Sequence, residues 1–154
     1  MPITTVYDST NYSNTVEAIL REHILDYFAS SDYVTTFDQP TVEAMSKPII
    51  WLSLVSSRNL DRLRTRRSGK SLQRKELNYA VNLFTNPSTG AMTKIRQMAA
   101  TFERNAIQRD GYKLHDAGLV QAEVTPFTTV IVDSEQKYYR RLAVLSVAVY
   151  VETS

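Results

Sequence analysis

The stretch that most constrains the fold is the run from Tyr139 to Val151. Side chains of an extended chain point alternately to its two faces. Leu142, Val144, Ala148 and Tyr150 share one face, and Ala143, Leu145, Val147, Val149 and Val151 share the other. β-Branched valines dominate, which suits a pleated strand. A strand apolar on both faces must lie centrally in a sheet, covered by helices or by a neighbouring subunit. The apolar stretch Ala143–Val151 is interrupted by Ser146 and is far short of the roughly 20 residues that a membrane-spanning helix needs.

The preceding residues supply the helices and the other strands. Residues 1–12 are polar with scattered aromatics and read as an irregular, extended arm. Val16, Ile19, Leu20, His23, Ile24, Tyr27 and Phe28 then recur at helical spacing, with Ser13 or Asn14 as the cap and Asn14/Glu17 at capping-box spacing. Residues 33–47, with Pro40 and Pro48 at or beside them, read as a loop or a short edge strand. Ile49–Val55 reads as a strand, as does the alternating stretch Leu77–Phe84. Ala91, Ile95, Met98, Ala99, Phe102 and Ala106 form the stripe of a second helix that ends by Gly111. Leu119–Phe127 and Thr129–Val132 are candidate strands, and Asp133-Ser134-Glu135 is a turn. The expectation is a single α+β domain over residues 1–154, with a mainly antiparallel sheet of four to five strands packed against two helices. A chain of 154 residues buries roughly 70% of its unfolded surface and needs no crosslink to be stable.

The residues offer little for catalysis. The chain has no cysteine, which removes thiolate nucleophiles, disulfides and cysteine-based metal sites and fits a reducing compartment. The first residues lack the basic-then-apolar order of a signal peptide. Of two histidines, His23 lies on an apolar helix face and reads as structural, while His115-Asp116 is the sole outline of an acid–base pair. Gly69-Lys70-Ser71 resembles the end of a phosphate-binding loop, but Arg64 stands where that motif needs glycine, and strands flank it on both sides. The carboxylates are scattered and form no spaced ligand set. The expectation is a protein that is not an enzyme and holds no cofactor or metal.

Charge is distributed unevenly. Between Arg58 and Lys75 lie eight basic residues (Arg58, Arg62, Arg64, Arg66, Arg67, Lys70, Arg74, Lys75) and one acid, a local charge of +7 that leaves −5 for the rest of a chain whose total is +2. We read residues 58–75 as a long basic loop between two strands. Its arginine excess suits phosphate or carboxylate partners. Its lack of aromatics argues against recognition of unstacked bases. Nine tyrosines occur in the chain, and Tyr138, Tyr139 and Tyr150 sit on or beside the last strand, where they are candidates for a subunit interface.

The order of elements is itself informative. A helix containing Val16-Glu17-Ala18-Ile19-Leu20-Arg21 leads to the strand Pro48-Ile49-Ile50-Trp51-Leu52. A charged excursion, the strand Leu77-Asn78-Tyr79-Ala80-Val81, a helix with Phe102-Glu103-Arg104 and the closing Tyr138-Tyr139-Arg140-Arg141-Leu142-Ala143-Val144 follow. Over roughly residues 14–152 this pattern resembles the tail terminator (tail completion, neck) proteins of tailed bacteriophages. The resemblance implies a virion protein, assembled in the host cytoplasm, that forms a hexameric ring at the head-proximal end of the tail. Its implied partners are further copies of itself, the tail tube, the sheath in a contractile tail, and the head–tail connector. Genomic DNA would pass through the ring without sequence-specific contact, and no membrane is involved. The alternatives are another neck or head–tail joining protein, and a nucleic-acid-binding module that uses the arginine-rich segment.

Overall fold

A computed structural model describes residues 7–8, 10–42, 45–65, 71–105, 119, 121–133 and 138–153. It is α+β, as the sequence implies. The strands are β1 (Tyr7–Asp8), β2 (Val34–Thr36), β3 (Ile49–Thr65), β4 (Ser71–Thr85), β5 (Gln121–Val124), β6 (Ile131–Asp133) and β7 (Tyr138–Thr153). The helices are α1 (Tyr12–His23), followed by a 3-10 turn over Leu25–Tyr27, and α2 (Ala91–Glu103). The strands form one sheet in the order β1-β7-β4-β3-β2, with β5 and β6 also paired to β7. This makes seven strands where four to five were expected, because short pieces of chain that read as arm or loop complete the sheet edges. The β3/β4, β4/β7, β5/β7 and β6/β7 pairs are antiparallel, and β1/β7 and β2/β3 are parallel.

Strand β7 is central, as its two apolar faces require. On one side it pairs with β4 along its whole length, from Thr85↔Tyr139 to Ser71↔Thr153. On the other side β6, β5 and β1 follow one another along it. Between β5 and β6 the chain is not a strand, yet it stays fastened. The Thr125 and Thr128 amides donate to the Val144 and Leu142 carbonyls, and the two threonine hydroxyls accept from the Val144 and Leu142 amides. Side chains thus substitute for a ladder at the point where Pro126 could not donate a backbone bond.

Both helices pack on the same sheet face. Val16, Leu20, Ile95, Met98 and Phe102 share a core with Leu77, Tyr79, Val81, Leu83, Leu145, Val147, Val149 and Val151. All but Met98 in this set are completely buried, and each such side chain contributes about 1.5–3 kcal/mol through burial. The helices cover one face of β7 only. Its even-numbered face carries neither helix, and Val144 is 37% exposed there. A smaller apolar cluster, Ile49, Phe84 and Tyr138 with Val42, Met45 and Trp51, occupies one end of that face.

Three boundaries differ from expectation. Helix α1 begins at Tyr12 after Asn11, so Ser13 and Asn14 lie inside it rather than capping it. Asn11 supplies the first acceptor, its carbonyl receiving both the Thr15 amide and the Thr15 hydroxyl at 3.2 Å. Helix α2 starts after Gly90, which has φ +83°, a conformation that costs glycine nothing. The expected end of α2 near Gly111 lies outside the described residues. The largest correction concerns residues 58–75. The segment read as a loop is mostly strand: β3 runs to Thr65, β4 starts at Ser71, and residues 66–70 alone lie between them, outside the described residues.

Candidate interaction surface

The basic segment becomes a strand because its neighbours make pairing favourable. From Ser71 to Glu76, β4 is hydrogen-bonded to β7 on one side and faces β3 on the other. A bidentate ion pair crosses the hairpin: Arg58 Nε lies 3.0 Å from Glu76 Oε1 and Nη2 lies 3.4 Å from Oε2. The arginine contact holds the Glu76 carboxyl below its ordinary range, with a hydrogen bond from Asn78 adding to it. Register irregularities between Leu54 and Ser56, Asn59 and Arg62, and Arg62 and Thr65 let the two strands stay paired despite unequal spacing.

Strand alternation sends Lys75 to the opposite face from Arg58 and Arg74. Glu76 opposes Arg58 and Ala148, while Lys75 opposes Asn59 and Val149. Arg58 and Arg74 therefore belong to the face without helices, and Lys75 to the helix face. There its ammonium stands 5.1 Å from the centre of the Tyr12 ring. Arg62 and Arg64 lie on β3. Arg66, Arg67 and Lys70 lie outside the described residues, as do His115 and Asp116. His23 ends α1, its Nε2 4.0 Å from Glu22 Oε2. Among the described residues no group of three histidine, aspartate or glutamate side chains is placed to share a metal ion, and no helix is long and apolar enough to cross a membrane.

The three tyrosines also have different surroundings. Tyr138 is 8% exposed and packs edge-on against Phe84 with ring centres 5.3 Å apart, so its ring is used inside the chain. Tyr139 is half-buried against the main core. Tyr150 is half-buried on the face without helices, opposite Arg74.

That face carries a polar network which sequence reasoning missed. The Asn78 amide donates to Ser56 Oγ at 3.1 Å and to Glu76 Oε1 at 3.2 Å, and its oxygen accepts from Ser146 Oγ at 2.6 Å. Asn82, 2% exposed, donates to the Trp51 and Ala80 carbonyls at 3.2 Å and accepts from Arg140 Nη2 at 2.9 Å. The alternation of Asn78, Ala80 and Asn82 in β4 is the signal that could have found it. Read as the wet side of a half-buried strand, it was not connected to Ser146 and Arg140 some sixty residues away. The result is a hydrogen-bonded sheet surface with the Arg58–Glu76 ion pair at one end and apolar Leu142 and Val144 beside it. Apolar area framed by hydrogen-bonded polar groups is the composition found at protein contacts.

No protein-family profile matches this chain, and no curated protein sequence matches it. Among solved structures it is similar to the sheath/tube terminator of an extracellular contractile injection system, PVC, in the extended state. The likeness covers 97% of this chain at 12% identity with a TM-score of 0.48. The chain spans 58% of the length of that protein.

Proposed function

We propose that this chain is a structural tail component, without enzymatic activity, whose copies close into a ring at the head-proximal end of a phage-type tail. In this reading the ring is a hexamer that ends growth of the tail tube. It presents a docking surface to the head–tail connector and lets genomic DNA through its centre. Tube protein, sheath protein in a contractile tail, and connector are its partners, and the virion is its location. The observation that carries the reading is the uncovered face of the central strand. Both helices lie on the other side, and on this side Val144 is 37% exposed, with Leu142 and Tyr150 half-buried and Ala148 buried within the chain. A neighbouring subunit supplies what the chain itself does not.

Sedimentation velocity on the purified protein tests the proposal. The unaltered chain sediments as a discrete oligomer, and Val144→Glu shifts it to monomer without loss of secondary structure. A wild-type chain that stays monomeric at high concentration and never accompanies tails in purification contradicts it.

A further inference from the structure

We infer that successive copies of the chain join edge to edge, β2 and β3 of one copy pairing with β6 and β5 of the next, so that one sheet runs on from subunit to subunit. The inference rests on the ring proposed above and names the surface that closes it.

The sheet is open, and its two edges differ. Strand β2 covers β3 only over residues 49–51. Among the described residues, the outer edge of β3 over residues 52–65 therefore has no strand beside it. On the far side β6, β5 and β1 form the other edge, again with no further strand among the described residues. A row of unpaired backbone groups is a template for another strand. Of the eight large apolar side chains exposed among the described residues, five lie on these edges: Val34, Leu54 and Val55 on one, Ile131 and Val132 on the other. Apolar exposure is thus concentrated where a further strand would pair.

Charge decides which strand that is. The outer part of β3 carries Arg58, Arg62 and Arg64 against Asp61, whereas β1, β5 and β6 carry Asp8, Glu123 and Asp133 and no base. Like charges placed opposite each other destabilise strand pairing, so two copies of β3 disfavour one another. The complement of the basic edge is the acidic edge of a second copy.

Strand direction and register agree with this. Strand β3 runs in the direction of β7, and β5 and β6 run against it. Both new pairs are therefore antiparallel, the more stable arrangement per residue. Val34, Ile49, Phe84, Arg140 and Ile131 form one row across the sheet. Continuing the sheet without offset sets exposed Val34 beside exposed Ile131 of the next copy. The row of Leu54, Tyr79, Leu145 and Val124 likewise sets Leu54 beside Val124. Glu123 lies in the row of Ser56, two residues from Arg58. Asp8 lies in the row of Leu72, level with the part of β3 between Arg62 and Thr65. Apolar residues meet apolar ones, and acids meet bases. A head-to-tail contact of this kind closes into a ring when its rotation divides a full turn.

Disulfide trapping tests the contact. The chain contains no cysteine, so introduced thiols report without background. In Val34→Cys/Ile131→Cys the two thiols of one chain lie four strand spacings apart, about 19 Å, beyond the reach of a disulfide. Oxidation of the assembled double variant should convert most of the chain to a ladder of linked multimers on a non-reducing gel. Each single variant should stay at monomer mass, and a mixture of the two should stop at linked pairs. Leu54→Cys/Val124→Cys, on a separate row, should give the same ladder, which guards against a folding defect in the first variant. Oligomers that form in sedimentation yet give no ladder from either pair overturn the inference and leave the ring standing. Single variants that link to themselves overturn it in favour of a two-fold contact. A chain that sediments only as monomer overturns it together with the ring.

Discussion

Two side chains sit in places that cost the fold. Glu17 is half-buried on α1, and burial first, then the charge of Asp38, raises its pKa, with Arg21 pulling the other way. A carboxyl whose folded pKa is raised favours the folded state below its unfolded pKa, and that advantage is lost as pH rises through the folded pKa. At neutral pH the ionised form is therefore a net cost. Glu17→Gln is expected to raise the unfolding midpoint at about pH 7 and to have little effect at about pH 3, where both side chains are neutral. Thermal melts at the two pH values check this. Tyr79 is fully buried and its hydroxyl lacks a partner. Burial chiefly, with help from Glu17 and Tyr12, pushes its pKa far up, so it stays neutral. Removing an unpaired hydroxyl while keeping the ring should be neutral or stabilising by up to about 1 kcal/mol, so Tyr79→Phe should not lose stability in urea unfolding. The opposite sign holds for Glu76. Its pKa is lowered by Arg58, so its contribution is present above its unfolded pKa and is lost as pH falls through the folded one. For an exposed pair that contribution is about 0.5 kcal/mol.

At the scale of elements, β7 and α2 are the most informative. Leu145 lies at the middle of β7 with no exposure, between Tyr79 on β4 and Val124 on β5. Leu145→Ala should cost about 2–5 kcal/mol, read as a drop in denaturation midpoint. Gly90→Ala should cost about 1 kcal/mol for a different reason. A methyl group there meets nothing within 4 Å, so the whole cost is the backbone at φ +83°. Elements such as β7, α2 and the helical part of α1 were legible because their periodicity and burial agree. The stripe Ile95, Met98, Ala99 and Phe102 is buried as its spacing requires. The basic hairpin was not legible. Charge and turn propensity in residues 58–75 point to a loop, but pairing to β7 through β4 overrides them. Strand β1, of two residues, is too short to carry a period and exists because β7 offers it an edge, whereas β6 falls on the candidate strand Thr129–Val132 and β2 within the segment read as a loop or short edge strand.

For the whole molecule, the sheet is one-sided. Helices and the main core occupy one face, and the other holds the Asn78–Ser146 and Asn82–Arg140 networks with Val144 exposed among them. A layer left uncovered on one face is ordinary for an antiparallel sheet whose outward residues are polar. Here Val144 is exposed on the central strand, with Leu142 and Tyr150 half-buried beside it, and that difference carries the proposal of self-assembly. Since the face lies on the side opposite the helices, a substitution there should alter assembly while leaving the fold's stability within about 0.5 kcal/mol. Negative-stain electron microscopy of the purified chain tests this most directly. The account predicts rings of one size, six-fold in projection, with a central hole. A field of dispersed single subunits at every concentration, from a protein that is folded and soluble, would contradict it.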